Sequence, residues 1–379
     1  MKSFQPHNYR HLAPLFLLAI LSACGGGTTT TALTSTTPPP GSFKQNYTAS
    51  ISAGEIIQIE IDTTTMSYAF KVLLSSHNLA GNSGSGNITS QNIDGSYNLA
   101  ASPNGLVFGG RVFAIQNGEI SGYITASFFS GITINLPVIG TSNPLATVPD
   151  IAGTYNYVSY SCPTPASGNL IGTPGCTTDY GTILINSNFT FSRCSQQDLT
   201  TITSCTLSSA GTLSAANPVP ATASTAIPGV FNFTRNGATT SGWIFAYTAA
   251  NGQRVAVTEL NEAAAASSYG NGQVIMTDQS TVAPADIDGN YILYNFIEGN
   301  KPTTITGATY TAGSTSTTTG SLNINSPWPG LISWSDSTLL YSGHTIISGT
   351  GIYVSQMTPS TVGVFASLTD KWFEFGFRH

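Results

Sequence analysis

Ile57-Gln58-Ile59-Glu60-Ile61-Asp62 decides the fold class, because apolar and polar residues alternate along it without a break. Successive side chains of a β-strand point to opposite faces of a sheet, so this pattern predicts a strand with one buried and one solvated face. The runs at 189–192, 231–234 and 373–377 alternate in the same way. Helical periodicity is nearly absent, and a single short helix is predicted at 262–266. The chain is therefore predicted to be all-β.

Turn signals recur between the predicted strands. Asn-Gly pairs stand at 104–105, 117–118, 236–237 and 251–252, and such pairs favour tight hairpins because both residues tolerate positive φ. Two internal repeats accompany them. The pattern Asp/Asn-Ile-x-Gly-x-Tyr occurs at 92–97, 150–155 and 286–291, and the segment 112–124 recurs at 230–244. We interpret the repeats as hairpins in equivalent positions of related β modules.

Proline-rich joints near 144–149 and at Pro284 predict boundaries between modules at 43–148, 150–283 and 286–379. Each module has the length of an antiparallel sandwich or a small barrel, and composition does not choose between the two. The Gly-x-Tyr entry to a meander resembles the opening strand of lipocalin-like barrels. The predicted fold class is thus two or three sandwich or small-barrel modules, with a lipocalin-like meander, after a disordered tether.

The N-terminus carries an export signal. Lys2 and Arg10 precede an apolar run at 12–23, which is too short to span a bilayer as a helix, and the run ends in Leu21-Ser22-Ala23-Cys24. This tetrapeptide resembles the lipobox of bacterial lipoproteins. The resemblance implies cleavage of the signal peptide 1–23, acylation of Cys24 and, with Gly25 in the next position, the outer membrane. The body is similar to β-rich lipoproteins of proteobacteria, a resemblance that implies no activity.

The segment 24–42 begins with the lipidated cysteine and continues as a flexible linker, because its Gly, Thr and Pro residues offer almost nothing to bury. The protein is therefore expected to be held in the cell envelope by lipid, on either the periplasmic or the surface face of the outer membrane. Three acyl chains would hold it almost permanently, since one chain alone binds only marginally.

Composition limits the partners. The chain has 11 basic and 17 acidic residues, and loss of residues 1–23 removes Lys2 and Arg10 but no acid. The resulting net charge of −8 disfavours nucleic acid as a partner. Charged residues make up 7 % of the chain, while 40 % of it is hydrophobic and 10 % aromatic, which is enough to build a core.

Four cysteines remain after Cys24, and an even number in an oxidising compartment predicts two disulfides. Three pairings are possible. We favour the two local ones, Cys162–Cys176 and Cys194–Cys205, because each would join a strand, a polar loop and a second strand. A zinc site is the weaker alternative, since no Cys-x-x-Cys occurs and no histidine lies among the four.

The sequence offers no catalytic or metal-binding motif and implies no cofactor. The mature chain has three histidines, and neither His77 nor His344 has a recognisable triad partner nearby. The carboxylates of Asp286 and Asp288 alternate beside Gly289 as in calcium loops. The bidentate glutamate of such loops is missing, so a turn with aspartate as a local acceptor is the better interpretation.

Aromatic residues near the C-terminus are the candidate binding site. Trp328, Trp334, Tyr341 and Trp372 would stack on sugars or on partner side chains if exposed, or close one end of a module if buried. The predicted function is a non-enzymatic binding or structural role at the envelope, with the membrane and a glycan or envelope protein as partners. The alternatives are a lipocalin-like carrier of a small apolar ligand and a glycan-active hydrolase.

Overall fold

The described part of the chain consists of 24 strands and two four-residue helices. The computed structural model describes residues 41–103, 107–129, 132–165, 177–202, 205, 208–216, 226–236, 242–264, 268–295, 299–313, 317–336, 341–348, 351–358 and 373–379. Cys24, the apolar run and the linker up to residue 40 lie outside these ranges.

The strands form three closed barrels of eight strands each, in which every strand pairs antiparallel with its neighbours along the chain. Barrel 1 contains β1 Lys44–Ser50, β2 Glu55–Asp62, β3 Ser67–Ser75, β4 Ser83–Gln91, β5 Tyr97–Leu99, β6 Val107–Ala114, β7 Glu119–Phe129 and β8 Ile132–Thr141. Barrel 2 contains β9 Gly153–Pro165, β10 Thr177–Ile185, β11 Thr190–Ser195, β12 Ser208–Ala215, β13 Val230–Arg235, β14 Gly242–Thr248, β15 Arg254–Ala264 and β16 Ser268–Asp278. Barrel 3 contains β17 Gly289–Asn295, β18 Gly299–Thr306, β19 Thr309–Ala312, β20 Thr318–Ile324, β21 Ile332–Asp336, β22 Tyr341–Ile347, β23 Ile352–Thr358 and β24 Phe373–Arg378.

Each barrel closes by pairing its first strand with its last. The closing partners include Ala49 with Gly140, Tyr157 with Met276, and Leu293 with Gly376. The prediction of an all-β antiparallel fold is confirmed, and of the two predicted architectures the structure has small barrels. Closure leaves no open sheet edge to pair with another chain.

The barrel interiors follow the period-two pattern. In β2, Ile57, Ile59 and Ile61 face the interior of barrel 1 and are at most 1 % exposed, while Gln58 is exposed on the outer face. Barrels 2 and 3 each have an apolar interior of their own. Burying an isoleucine or phenylalanine side chain contributes about 1.5–3 kcal/mol, so each interior is a substantial source of stability.

A fourth cluster, which we call the central cluster, lies where the barrels meet. Strand β14 shows why it forms, because Ile244 faces the interior of barrel 2 whereas Phe245 faces the central cluster, and both are fully buried. The central cluster draws buried residues from all three barrels, including Ile56, Leu74, Phe245, Val257, Leu331 and Phe375. Ser42–His379 accordingly form one compact unit.

Two short helices lead into barrels 2 and 3. Helix α1, Val148–Ile151, buries Ile151, and helix α2, Pro284–Ile287, buries Ile287. The hydroxyl of Tyr155 donates to the carbonyl of Ile151 at 2.6 Å, and that of Tyr291 donates to the carbonyl of Ile287 at 2.7 Å. Among the described residues, no helix has the length and apolar character needed to cross a membrane.

The first repeat therefore has two roles. The copies at 150–155 and 286–291 carry the last residues of a short helix into the first strand of a barrel, but the copy at 92–97 is the turn between β4 and β5. Ile93 of that turn is fully exposed, whereas Ile151 and Ile287 are at most 1 % exposed. The prediction of equivalent positions is wrong for this copy, because its turn follows a strand of the same barrel instead of a linker.

The second repeat and the predicted helix also need correction. Segments 112–124 and 230–244 do form hairpins, but these join the sixth and seventh strands of barrel 1 and the fifth and sixth strands of barrel 2. The helix predicted at 262–266 is wrong for its described residues, since Glu262–Ala264 belong to β15 and pair with Ser268–Gly270 of β16. Cross-strand pairing outweighs the helix propensity of glutamate and alanine here.

Candidate functional site

One part of the contact between barrels 1 and 2 is polar and buried. We call it the carboxyl seam; it comprises Ser50, Ser52, Gly54 and Glu55 of barrel 1 and Glu259, Asn271 and Gln273 of barrel 2. Every one of the polar side chains in this group is at most 3 % exposed. Such a set of buried polar groups is stable only when most of its hydrogen bonds are made.

The turn between β1 and β2 wraps around the carboxyl group of Glu259. The backbone N–H of Ser52 donates to Oε2 at 2.7 Å and that of Gly54 donates to Oε1 at 2.6 Å. The hydroxyl of Ser50 also donates to Oε2. Gly54 has a φ of 87°, and a Cβ there would collide with Oγ of Ser76. Glycine at 54 therefore allows the turn to close on the carboxyl group.

Two amide side chains complete the carboxyl seam. Nε2 of Gln273 donates to Oγ of Ser50 at 2.6 Å, and Nδ2 of Asn271 donates to the carbonyl of Ala53 at 2.9 Å. Nε2 of His77 lies 3.0 Å from that carbonyl and 3.0 Å from Nδ2 of Asn271. His77 is thus a member of a barrel-to-barrel contact, and burial lowers the pKa of its imidazole.

Glu55 is the second fully buried carboxyl group of the carboxyl seam. Its Oε1 accepts from the hydroxyl of Ser75 at 3.1 Å, while its Oε2 has no hydrogen-bond partner among the described residues. Burial, and then the neighbouring Glu259, raise the pKa of Glu55 well above its usual range. Burial raises the pKa of Glu259 to about 8, against the opposing effect of its hydrogen bonds. Burial has this effect because it disfavours the charged form of a carboxyl group.

The contact between barrels 2 and 3 is built from rings. We call it the aromatic seam; it comprises Asn156 and Tyr180 of barrel 2 and Trp328 and His344 of barrel 3. The ring of Tyr180 stacks on that of His344 with centroids 3.6 Å apart, and on that of Trp328 with centroids 6.1 Å apart. Burial lowers the pKa of His344 to about 4.

Asn156 holds the Trp328 loop to barrel 2. Nε1 of Trp328 donates to Oδ1 of Asn156 at 2.8 Å, and Nδ2 of Asn156 donates to the carbonyl of Pro329 at 2.7 Å. The Trp328 ring is half-buried and packs against the central cluster. Its indole N–H and much of its ring are therefore engaged within the protein.

The other predicted aromatic residues lie elsewhere. Trp334 packs against the interior cluster of barrel 3 and meets Tyr310 edge-on, with centroids 6.3 Å apart. Tyr341 begins β22 and is half-buried, and Trp372 lies outside the described residues. Trp328 and Trp334 thus belong to different clusters, and a shared binding face for the four aromatics stays a prediction.

A polar cleft opens where barrel 2, barrel 3 and the segment 279–288 between them meet. Its volume is about 580 Å³, and its lining includes Thr154, Gln253, Arg254, Asp278, Ser280 and Asp286. Arg254 and Asp278 neutralise each other, with Nη2 and Oδ1 2.8 Å apart. Asp286 is exposed and accepts from the N–H of Ala283 at 2.8 Å. The cleft offers hydroxyl, amide and carboxylate groups to a ligand, with a slight excess of negative charge.

One of the two predicted disulfides is present. Cys194 of β11 is bonded to Cys205, with their Cα atoms 5.5 Å apart. Cys162 lies in β9, but Cys176 lies outside the described residues, so the pairing Cys162–Cys176 stays a prediction. The lipidation site Cys24 also lies outside them.

The acidic residues near 286–290 serve as local acceptors. Asp288 accepts from the N–H of Gly307 at 2.6 Å, and Asn290 accepts from the hydroxyl of Thr304 at 3.0 Å. In the part of the chain that the structure describes, no group of three or more His, Cys, Asp or Glu residues could hold a metal ion.

Sequence reasoning missed the carboxyl seam, although it left a signal. Val255 and Val257 share a face of β15 with Glu259, and both valines belong to the central cluster. A glutamate directly after two valines on one strand face is unusual, since glutamate is almost never fully buried unless it has partners. The partners on the turn before β2 lie more than 200 residues away in sequence, so the pattern alone could not identify them.

Compared with known proteins, the chain matches no protein-family model and no curated protein sequence.

Proposed function

We propose that this chain is a lipid-anchored protein of the cell envelope, with a non-enzymatic binding role carried out by its three joined barrels. The support for the anchor is the sequence Leu21-Ser22-Ala23-Cys24 at the end of the apolar run. Acylation of Cys24 would tether the body through the segment 24–42, on the periplasmic or the surface face of the outer membrane.

The polar cleft is the observation that carries the binding role. Its volume of about 580 Å³ lies in the range that holds small ligands. Because the Arg254–Asp278 pair is neutral and Asp286 adds a negative charge, the lining favours a neutral, hydroxyl-rich ligand over an anion. A short uncharged glycan has that chemistry, so we place glycan binding in the polar cleft.

The non-enzymatic character is supported by where the reactive side chains lie. Glu55 and Glu259 are fully buried between barrels 1 and 2, and His77 and His344 also lie in contacts between barrels. A catalytic acid or base must reach a substrate proton within hydrogen-bond distance. None of these four side chains lines the polar cleft. The two carboxylates that do line it are engaged locally, Asp278 by Arg254 and Asp286 by the N–H of Ala283, which disfavours the alternative of a glycan-active hydrolase.

The alternative of a lipocalin-like carrier requires a roomy apolar cavity inside a barrel. The interior of barrel 1 is instead occupied by large side chains such as Tyr47, Tyr68 and Phe108, each at most 2 % exposed. The polar cleft lies outside all three barrels. These observations favour binding at the polar cleft over transport of an apolar ligand.

Two independent experiments test the two halves of the proposal. For the anchor, cells that express the wild type or Cys24→Ala are labelled with palmitate, and we expect label in the membrane fraction of the wild type alone. Label in the Cys24→Ala chain would reject lipidation at this residue.

For the polar cleft, titration calorimetry compares neutral and acidic oligosaccharides. We expect a neutral one to bind, and Ser280→Trp to weaken its binding at least about tenfold by filling the cleft. Gln58→Trp, on the exposed outer face of barrel 1, is the matched control and should bind as the wild type does. Equal binding by both variants would reject the cleft, and turnover of any oligosaccharide would reject the non-enzymatic role.

A further inference from the structure

The carboxyl seam buries two acidic groups that have no basic partner in the part of the chain that the structure describes. Glu55 and Glu259 are both 0 % exposed, and no salt bridge joins either one to a basic side chain among the described residues. Two ionised carboxylates in this environment would repel each other and would lack hydration. Closure of the carboxyl seam is therefore favoured while these groups hold their protons.

The surroundings offer little to offset a second negative charge. Glu259 faces the hydroxyl of Ser50 and two backbone N–H groups, while Oε2 of Glu55 has no hydrogen-bond partner among the described residues. The oxygens Oδ1 of Asn271 and Oε1 of Gln273 are likewise buried and unpartnered within the described ranges. Unpartnered oxygens do not stabilise a neighbouring anion.

The other titratable groups near the pair do not supply a positive charge at neutral pH. Tyr160 of β9 is fully buried, and burial together with Glu259 raises the pKa of its phenol. His77 approaches through Asn271, and burial lowers the pKa of its imidazole, so the ring is neutral. Glu55, Glu259, Tyr160 and His77 are the ionisable groups that face one another across the carboxyl seam.

We propose that the carboxyl seam is a proton-dependent latch: it is closed while the Glu55–Glu259 pair holds its protons, and it loosens when they are released to solvent. Release leaves a carboxylate anion on one of the two residues and then on the other. The turn between β1 and β2 is the element that moves, because the backbone N–H groups of Ser52 and Gly54 donate hydrogen bonds to Glu259.

The pH range in which the carboxyl seam loosens follows from the raised pKa values of its two glutamates. A carboxyl group whose pKa is higher in the closed seam than in water binds more protons when the seam is closed, so closure weakens as the pH rises. The ordinary pKa is 4.5, and that of Glu259 in the carboxyl seam is about 8. The latch is therefore fully closed below pH 4.5 and loosens progressively as the pH approaches 8.

Hydrogen exchange at the amides of Ser52 and Gly54 reports closure directly. The mature chain is measured at pH 6 and pH 8, with each rate corrected for the intrinsic pH dependence of exchange. We expect protection of both amides to fall at least about tenfold over this interval, since one pH unit in the window changes the closure equilibrium by about a factor of ten. Amides hydrogen-bonded between paired strands of barrel 3 serve as the internal reference.

Glu259→Gln keeps the size of the side chain and removes one of the two titrating carboxyl groups, so the fall in protection should be clearly smaller than in the wild type, and the double variant Glu55→Gln/Glu259→Gln should reduce it to less than about twofold. Glu55→Gln is the second variant, used if Glu259→Gln does not fold. It should also reduce the fall in amide protection between pH 6 and pH 8. Glu60→Gln, a partly exposed residue that pairs with Lys44, is the matched control and should retain the wild-type profile.

Three results would overturn the latch. The first is wild-type protection that does not change between pH 6 and pH 8. The second is a pH profile in Glu259→Gln and Glu55→Gln that matches the wild type. The third is full recovery of protection at pH 8 on addition of calcium chloride, because it would identify the carboxyl seam as a cation site. Calcium should leave protection unchanged if protons close the latch.

Discussion

The carboxyl seam and the aromatic seam join barrel 2 to its two neighbours by different chemistry. In the carboxyl seam, Glu259 is held by directed hydrogen bonds from one turn, and the polar side chains around it are buried. In the aromatic seam, Tyr180 lies against Trp328 and His344, and Asn156 adds two hydrogen bonds. Hydrogen bonds are directional, so a contact built from them is destabilised when one partner is lost. Stacked rings instead stabilise a contact roughly in proportion to the area that they bury.

This difference predicts unequal sensitivity to truncation. Glu259→Ala removes the acceptor of three buried donors, and each buried donor left without a partner lowers the free energy of unfolding. We expect a loss of about 3–4 kcal/mol in the free energy of unfolding, measured by chemical denaturation. Glu60→Ala, which breaks a partly exposed pair on the same barrel, should cost at most about 1 kcal/mol. Equal losses in the two variants would mean that the carboxyl seam does not stabilise the fold.

Truncation in the aromatic seam should cost less. Trp328 is half-buried, so Trp328→Ala should lower the free energy of unfolding by about 2 kcal/mol, below the range for fully buried tryptophans. Trp328→Phe keeps ring area but loses the bond to Asn156, and should cost about 1 kcal/mol. A melting temperature unchanged in Trp328→Ala would instead agree with the sequence prediction of an exposed ring that is free to bind a partner.

The two seams should also respond to pH in opposite directions. Burial lowers the pKa of His344 to about 4, so the unfolded chain takes up a proton at this residue before the folded chain does. The contribution of His344 to stability is therefore present above pH 6.5 and is lost as the pH falls towards 4. The carboxyl seam weakens on the alkaline side. In a series of thermal melts at different pH, His344→Phe should reduce the fall in melting temperature on the acid side and leave the fall on the alkaline side unchanged. An acid-side fall as large as in the wild type would show that His344 is not the group responsible.

Much of the fold was predictable because it rests on local signals. Alternation at 57–62 gave the inner and outer faces of β2, and the Asn-Gly pair at 117–118 lies in the hairpin between β6 and β7. The number of strands per barrel and the closing pairs, such as Ala49 with Gly140, depend on contacts distant in sequence. Alternation fits a sandwich as well as a barrel, so the sequence left both open.

The candidate site was much less predictable. Trp328 stands out in the sequence because a proline flanks it on each side, but its partner Asn156 lies 172 residues away and carries no sequence signal. The polar cleft combines the turn before Arg254 with the segment that follows Asp278, two ordinary polar segments that only the packing of barrels brings together. The first repeat also led to a wrong prediction, because Ile93 and Ile151 occupy the same position of the motif but Ile93 is exposed and Ile151 is buried.

Differential scanning calorimetry of the mature chain tests whether the seams and the central cluster make the three barrels into one cooperative unit. If they do, the protein should unfold in a single transition whose van't Hoff enthalpy equals its calorimetric enthalpy. Three barrels that unfold independently would instead give separate transitions, or a calorimetric enthalpy about three times the van't Hoff value, and would rule out cooperative coupling through the seams.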